Sequence, residues 1–264
     1  MAIRCVYTDL DGTLLGRGAS LFRDGEGNFT LLPARALAAC HRAGVEVVLK
    51  SGRRKAQVME DARLLGQTAY IYEVGCGLHV DGEDTYLGEL RPRDGVTVWQ
   101  QIEDGGAPRL LLERYTGRLE PHAPWHRDRH FSHLLRGLVD VDEANALLVD
   151  YGHGHLRLVD NGSIAPKETL LGLDGPPRAY HLIPRGASKA DAVSAHMLAR
   201  GYAREEVIGV GDSREDLGVA AVVGRFFLVA NAKVEPAGDN VEVTEATYGD
   251  GFYEAVVRSL AEAR

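Results

Sequence analysis

At 264 residues, 45% hydrophobic and 26% charged, the chain has the make-up of an ordinary globular protein with one large domain or two smaller ones. Its formal net charge of −8 excludes a general nucleic-acid coat, which needs a basic surface, but not a local basic pocket for a small anion. No apolar run approaches the roughly 20 residues that span a bilayer, and the first residues carry no signal-peptide core. Three scattered thiols, Cys5, Cys40 and Cys76, suit a reducing compartment. The expectation is a cytoplasmic protein with neither membrane nor nucleic-acid partner.

Ile3 to Thr8 is a short β-branched and aromatic run that reads as a buried strand. It ends in Asp9-Leu10-Asp11-Gly12-Thr13-Leu14-Leu15, which places two carboxylates in a Gly-containing loop. In open α/β sheets the loops beyond the carboxyl ends of strands are where ligands bind. Paired carboxylates there suit a cation, with Mg²⁺ favouring few carboxylates plus phosphate oxygens, and one Asp can attack phosphorus. The plain alternative is an Asp-Gly turn with a solvated partner.

Residues 16–30 look irregular, and Pro33 starts a helix over Ala34 to Ala43 closed by Gly44. Val45 to Leu49 is a second strand, delivering Ser51-Gly52-Arg53 into a helix that runs to about Leu65. A hydroxyl, backbone N–H groups and a guanidinium suit a phosphate; on its own, a Ser in this position is more often a simple N-cap. Ala69 to Val74 is a third strand, and the two crossovers imply a parallel sheet.

From about Gly82 to Pro184 the strand-helix rhythm fades into a stretch of domain size, expected to be an α+β insertion. Strands are expected at Arg109 to Arg114 and His155 to Val159, and helices at Arg127 to Leu138 and Asp142 to Tyr151. His122, His126, His130 and His133 fall at near-helical spacing. Without Cys or a neighbouring ligand pattern they read as a basic strip facing solvent or substrate rather than a zinc site. The rhythm returns at Ser188-Lys189-Ala190-Asp191, a capping signature that sets Lys189 in the first turn of a helix to about Arg200. A lysine at a helix N-terminus is electrostatically misplaced unless an anionic centre faces it. Val207 to Gly211 is another strand ending in acids, Asp212 and Asp216, followed by a strand at Phe226 to Ala230 and a helix from Asp250 to Ala263.

In this order DLDGTL at 9–14, Ser51-Gly52-Arg53, Lys189 and GDSREDL at 211–217 resemble the four motifs of the haloacid-dehalogenase superfamily. The resemblance implies a Rossmann-like α/β core at 1–82 and 185–264. It also implies an inserted α+β cap at 83–184 similar to the type IIB cap of Cof-like sugar phosphatases. GVGDSREDL and the run from Ala179 to Lys189 are similar to the mannosyl-3-phosphoglycerate phosphatases. Such a protein is a Mg²⁺-dependent hydrolase of a small phosphate ester, here a phosphorylated sugar, polyol or glycosyl-phosphoglycerate. The resemblance makes Asp9 the nucleophile and Asp11 the acid/base, with Ser51 and Lys189 holding the phosphoryl oxygens. Mg²⁺ would be bound by Asp9, the Asp11 carbonyl and Asp212, with Asp216 supporting them. Gly52, Arg53, and from the insertion His130 and Arg178, are the expected substrate contacts. Glu215 stands where relatives commonly have Asn, and Val74-Gly75 where they have Asn-Gly. The rival expectations are a sugar phosphomutase and a catalytically idle binding protein on the same fold.

Overall fold

The computed structural model describes residues 2–165, 168–170 and 172–261. Its larger sheet is built on β1 (Cys5–Thr8), flanked by β2 (Glu46–Lys50) and β10 (Val207–Gly211), both parallel to it. β3 (Ala69–Tyr72) extends it beyond β2, and β11 (Arg225–Leu228) and β12 (Val241–Val243) extend it beyond β10, again in parallel. The strands are near-continuous apolar runs because helices cover both faces of the sheet; Cys5, Val6, Tyr7 and Thr8 are all fully buried. These helices include α1 (Leu32–Ala43), α2 (Lys55–Leu65), α6 (Lys189–Arg200) and α8 (Tyr248–Ala261). The last two residues of the expected C-terminal helix, 262 and 263, lie outside the described residues. Among those described, no helix is long and apolar enough to cross a membrane.

The sheet is not wholly parallel. β4 (Gly77–Val80) and β5 (Glu83–Tyr86) add antiparallel to β3, so the larger sheet runs to Tyr86, past the expected boundary at residue 82. The second sheet is antiparallel throughout, in the order β6 (Leu119–Pro121), β7 (His133–Gly137), β9 (Arg178–Pro184), β8 (Leu156–Ser163). Helices α3 (Val98–Gly105), α4 (Ala107–Arg114) and α5 (Val141–Asp150) accompany it.

Two expected elements are corrected here. The strand expected at 109–114 is α4: Pro108 sits in its first turn, and Ala107, Pro108, Leu111 and Tyr115 bury one helical face. The helix expected over 127–138 is a loop followed by β7, because pairing with both β6 and β9 overrides the helix preference of its leucines. The histidine strip therefore does not form. His126 closes one turn onto His122, while His133 is a strand residue stacked on Trp99 with ring centroids 4.5 Å apart.

Candidate active site

The carboxyl ends of β1, β2 and β10 lie side by side, so the loops that follow them meet at one place. Lys189, at the first position of α6, donates from Nζ to Asp9 Oδ1 and to Asp216 Oδ1, each at 2.8 Å. Ser188 caps the helix by accepting from Asp191 N at 3.0 Å. The lysine is thus held at an unfavourable helix end by carboxylates from two other loops. Lys50, the last residue of β2 and fully buried, donates to the same Asp216 oxygen at 2.5 Å. The other Asp216 oxygen accepts from Ser213 Oγ at 2.6 Å and Ser213 N at 3.3 Å. Among the described residues Asp212 has only the Thr13 hydroxyl, at 3.3 Å, as a hydrogen-bond partner.

Charge explains the titration of this cluster. Burial works against the charge on Asp216, but Lys189 and Lys50 outweigh it and hold the carboxyl below its ordinary range. Asp9 is pushed up to about 6 by burial and by Asp216, against the pull of Lys189. Asp212 is pushed up to about 8 by burial, then by Asp9 and Asp216. Burial lowers Lys50, while Lys189 stays above the usual lysine range because Asp216 and Asp9 outweigh its burial. Oxygens of Asp9, Asp212 and Asp216 lie within 4.8 Å of one another, and three carboxyls face two ammonium groups. The donor set fits a hard divalent cation. Asp212 and Asp9 are the carboxyls short of positive charge, whereas Asp216 is already saturated by protein donors and stands behind them.

Helix α2 starts at Lys55 with Arg54 as its cap, so Ser51 is not the N-cap that its sequence position allowed. Its buried hydroxyl accepts from Arg53 N at 3.2 Å, leaving the hydroxyl proton to donate elsewhere. Arg53 clasps Asp11 through Nε and Nη2 at 2.7 and 2.6 Å, and is braced by Asp61 at 2.7 Å. Behind this loop, Glu73, Val74 and Gly75 all have positive φ, at 49°, 59° and 88°. A β-branched residue there is strained, and the segment is held by its contacts: Glu73 N donates to Arg53 O and Val74 N to Ser51 O. Gly75 backs onto the start of α6, where a Cβ would lie 2.0 Å from Ser188 O. The Val74 departure noted in the sequence is thus a backbone support of the Ser51 loop.

The second sheet reaches this loop through residues that sequence reasoning missed. The buried Glu73 carboxylate accepts from the backbone N–H groups of His130, Phe131 and Ser132 and from Ser132 Oγ, all at 2.7–3.1 Å. Buried Arg129 donates to Gly52 O at 2.5 Å and to Ser132 Oγ at 2.9 Å. Arg157 bridges Ala187 O and Glu215. The signals were present: an acid in the apolar run AYIYEV and a lysine closing VEVVLK are buried charges waiting for partners. Nothing local named those partners. Of the expected insertion contacts, Arg178 pairs with Asp160 at 2.6 Å and Ser163 at 3.2 Å. It lies on the strand face of Tyr180, which bonds Val139. His130 borders a cleft of about 320 Å³ with Tyr86, Arg93 and Phe131.

His181, from β9, is held well below the ordinary histidine range by burial and then by the charges of Arg129, Lys189 and His122. The folded protein therefore refuses a proton that the unfolded chain takes up below about pH 6.5. This contribution is present above that pH and is lost as the pH falls through it. The slope of Tm against pH between 7.5 and 5.5 should accordingly be less positive in His181→Gln than in the parent; equal slopes in calorimetry would refute this.

No protein-family model matches the chain. The phosphoglycolate phosphatase of Pyrobaculum aerophilum is 31% identical over 261 residues, covering 97% of this chain and 95% of that one. The phosphoglycolate phosphatase of Methanoculleus marisnigri is 26% identical over 257 residues, covering 96% and 95%. Among solved structures, the sucrose-phosphatase of Synechocystis in complex with sucrose and phosphate has a TM-score of 0.66 at 15% identity, covering 98% of both chains. That last likeness is one of fold.

Proposed function

Because this chain belongs to the haloacid-dehalogenase-type phosphatases, the family of these archaeal enzymes, we propose that it hydrolyses phosphoglycolate or a similarly small phosphorylated hydroxy acid through Asp9. The observation that carries the reading is the Lys189 ammonium held between Asp9 and Asp216 at 2.8 Å from each. It orients the Asp9 carboxylate and places positive charge where phosphoryl oxygens gather. Relatives that match along nearly the whole chain, insertion included, support an acid leaving group over the sugar or glycosyl-phosphoglycerate expected from motifs alone.

In this mechanism an Asp9 oxygen attacks phosphorus, the ester P–O bond breaks, and the leaving oxygen takes a proton from Asp11. Water then attacks the aspartyl-phosphate, gives its proton to Asp11, and phosphate leaves with Asp9 restored. The Ser51 hydroxyl, the Gly52 and Arg53 backbone and Lys189 hold the phosphoryl oxygens, since such transfer is mostly positioning and charge stabilisation. The phosphate dianion competes for Arg53 and so frees Asp11 to reach the leaving oxygen. A bound Mg²⁺ supplies charge that offsets the phosphoryl oxygens, and Asp9, the Asp11 carbonyl and Asp212 would hold it, with Asp216 behind them. The second sheet, within residues 83–184, acts as the cap over the leaving group.

The test is phosphate release across phosphoglycolate, phosphoglycerates and sugar phosphates, with Mg²⁺ and with excess chelator. Turnover should need the metal, and calorimetry should show weaker Mg²⁺ binding in Asp212→Asn. Full activity in chelator would refute the metal requirement, and a sugar phosphate as best substrate would refute the substrate.

A further inference from the structure

Building on that reading, we propose that His181 and Asn161 select the leaving group by donating hydrogen bonds to its oxygens next to the ester. Gly52 follows Ser51 in the loop that would hold the phosphoryl group. A Cβ added to it would lie 2.8 Å from both His181 Nε2 and Asn161 Nδ2. Two neutral polar tips from the second sheet thus converge over this glycine, while the Arg129 guanidinium is taken up by its carbonyl oxygen.

The sheet aims both deliberately. Val159 pairs with His181 across β8 and β9, and Asn161, two residues on, shares their face. Arg157, on the same face, reaches Ala187 O and Glu215, so this is the face turned to the catalytic loops. A register shift falls between Asp160 and Ser163, with Gly162 at φ 99°, so Asn161 sits within an irregular stretch of β8. Bulges of this kind re-aim side chains beside active sites. Arg178 falls on the opposite face, against Asp160.

The histidine is also fixed in kind. Arg129 Nη2 lies 3.5 Å from its Nδ1, and a guanidinium only donates, so Nδ1 is assigned as acceptor and Nε2 carries the proton. Ser132 Oγ lies 3.3 Å from the same nitrogen, with its own proton given to Glu73. His181 Nε2 and the Asn161 amide make no hydrogen bond to the described residues. The phosphoryl oxygens are already served by Lys189, Ser51 and the backbone of the Ser51 loop, which leaves these two neutral donors for the leaving group. They suit a carboxylate or hydroxyl oxygen, and their nearness to Gly52 puts that oxygen within one or two carbons of the ester.

The experiment is kcat/KM for phosphoglycolate and for 4-nitrophenyl phosphate in Asn161→Ala, His181→Ala and His181→Gln, the last keeping a donor. Phosphoglycolate hydrolysis should fall roughly 10- to 100-fold in the alanine variants, mainly through KM. The fall for the aryl ester should be several-fold smaller, and His181→Gln should recover part of the loss. Equal falls on both esters, or none on either, would overturn the proposal. If the parent enzyme prefers another ester in the panel, the substrate reading fails. The ratio of that ester to the aryl phosphate then decides the role of these two residues.

Discussion

Asp9→Asn should lose turnover by about 10⁴-fold or more while keeping its fold. The amide has nearly the shape of the carboxylate, so it fits among Lys189, Asp212 and Asp216, but it cannot form the phosphoenzyme. Structurally the change is mild: Lys189 keeps Asp216, and one source of repulsion on Asp212 disappears. Phosphate release at saturating substrate reads the loss, and thermal unfolding confirms the fold. Appreciable turnover by a folded Asp9→Asn protein would end the covalent mechanism. In Asp11→Asn, by contrast, the first transfer is slowed less than the second when the leaving group is good. The phosphoenzyme should then accumulate and be visible by intact mass.

Glu73→Ala should be among the most destabilising single substitutions, by about 3–5 kcal/mol, lowering Tm on the order of 10 °C for a chain of this size. The carboxylate is fully buried and takes hydrogen bonds from three consecutive backbone N–H groups and one hydroxyl of the 130–132 segment. Arg129 Nε lies 3.7 Å away with its side chain also buried. Alanine leaves those donors and that guanidinium without an acceptor, which is more costly than losing the bonds themselves. Because Glu73 ties the second sheet to the strained turn behind Ser51, activity should fall with stability. The double variant Glu73→Leu with Arg129→Met removes both charges, so its loss should be smaller than the sum of the two single losses. A Tm change equivalent to a surface substitution, within about 0.5 kcal/mol, would show that the charge is not what joins the two sheets.

Local readings served the larger sheet well. The expected helix from Lys189 to Arg200 is α6, because Ser188, Asp191 and Gly201 mark both ends in the sequence itself. The insertion was harder to read. Leu110, Leu111 and Leu112 look alike in a strand and a helix until Pro108 and the burial of Leu111 settle it, and His133 to Gly137 become a strand through partners more than forty residues away in β9.

What the sequence determined by itself was the set of apolar runs ending in Asp9, Ser51 and Asp212, and the capped helix carrying Lys189. Each is a stretch of a few residues whose side-chain period and caps are local. The tertiary structure alone decided which charges meet. Lys50 and Asp216 are 166 residues apart, Lys189 and Asp9 180, and Arg129 and Gly52 77. A buried charge advertises in the sequence that it needs a partner, because leaving it unpaired is so unfavourable. Which partner it finds depends on strand order and sheet register, and these are fixed by contacts between segments far apart along the chain.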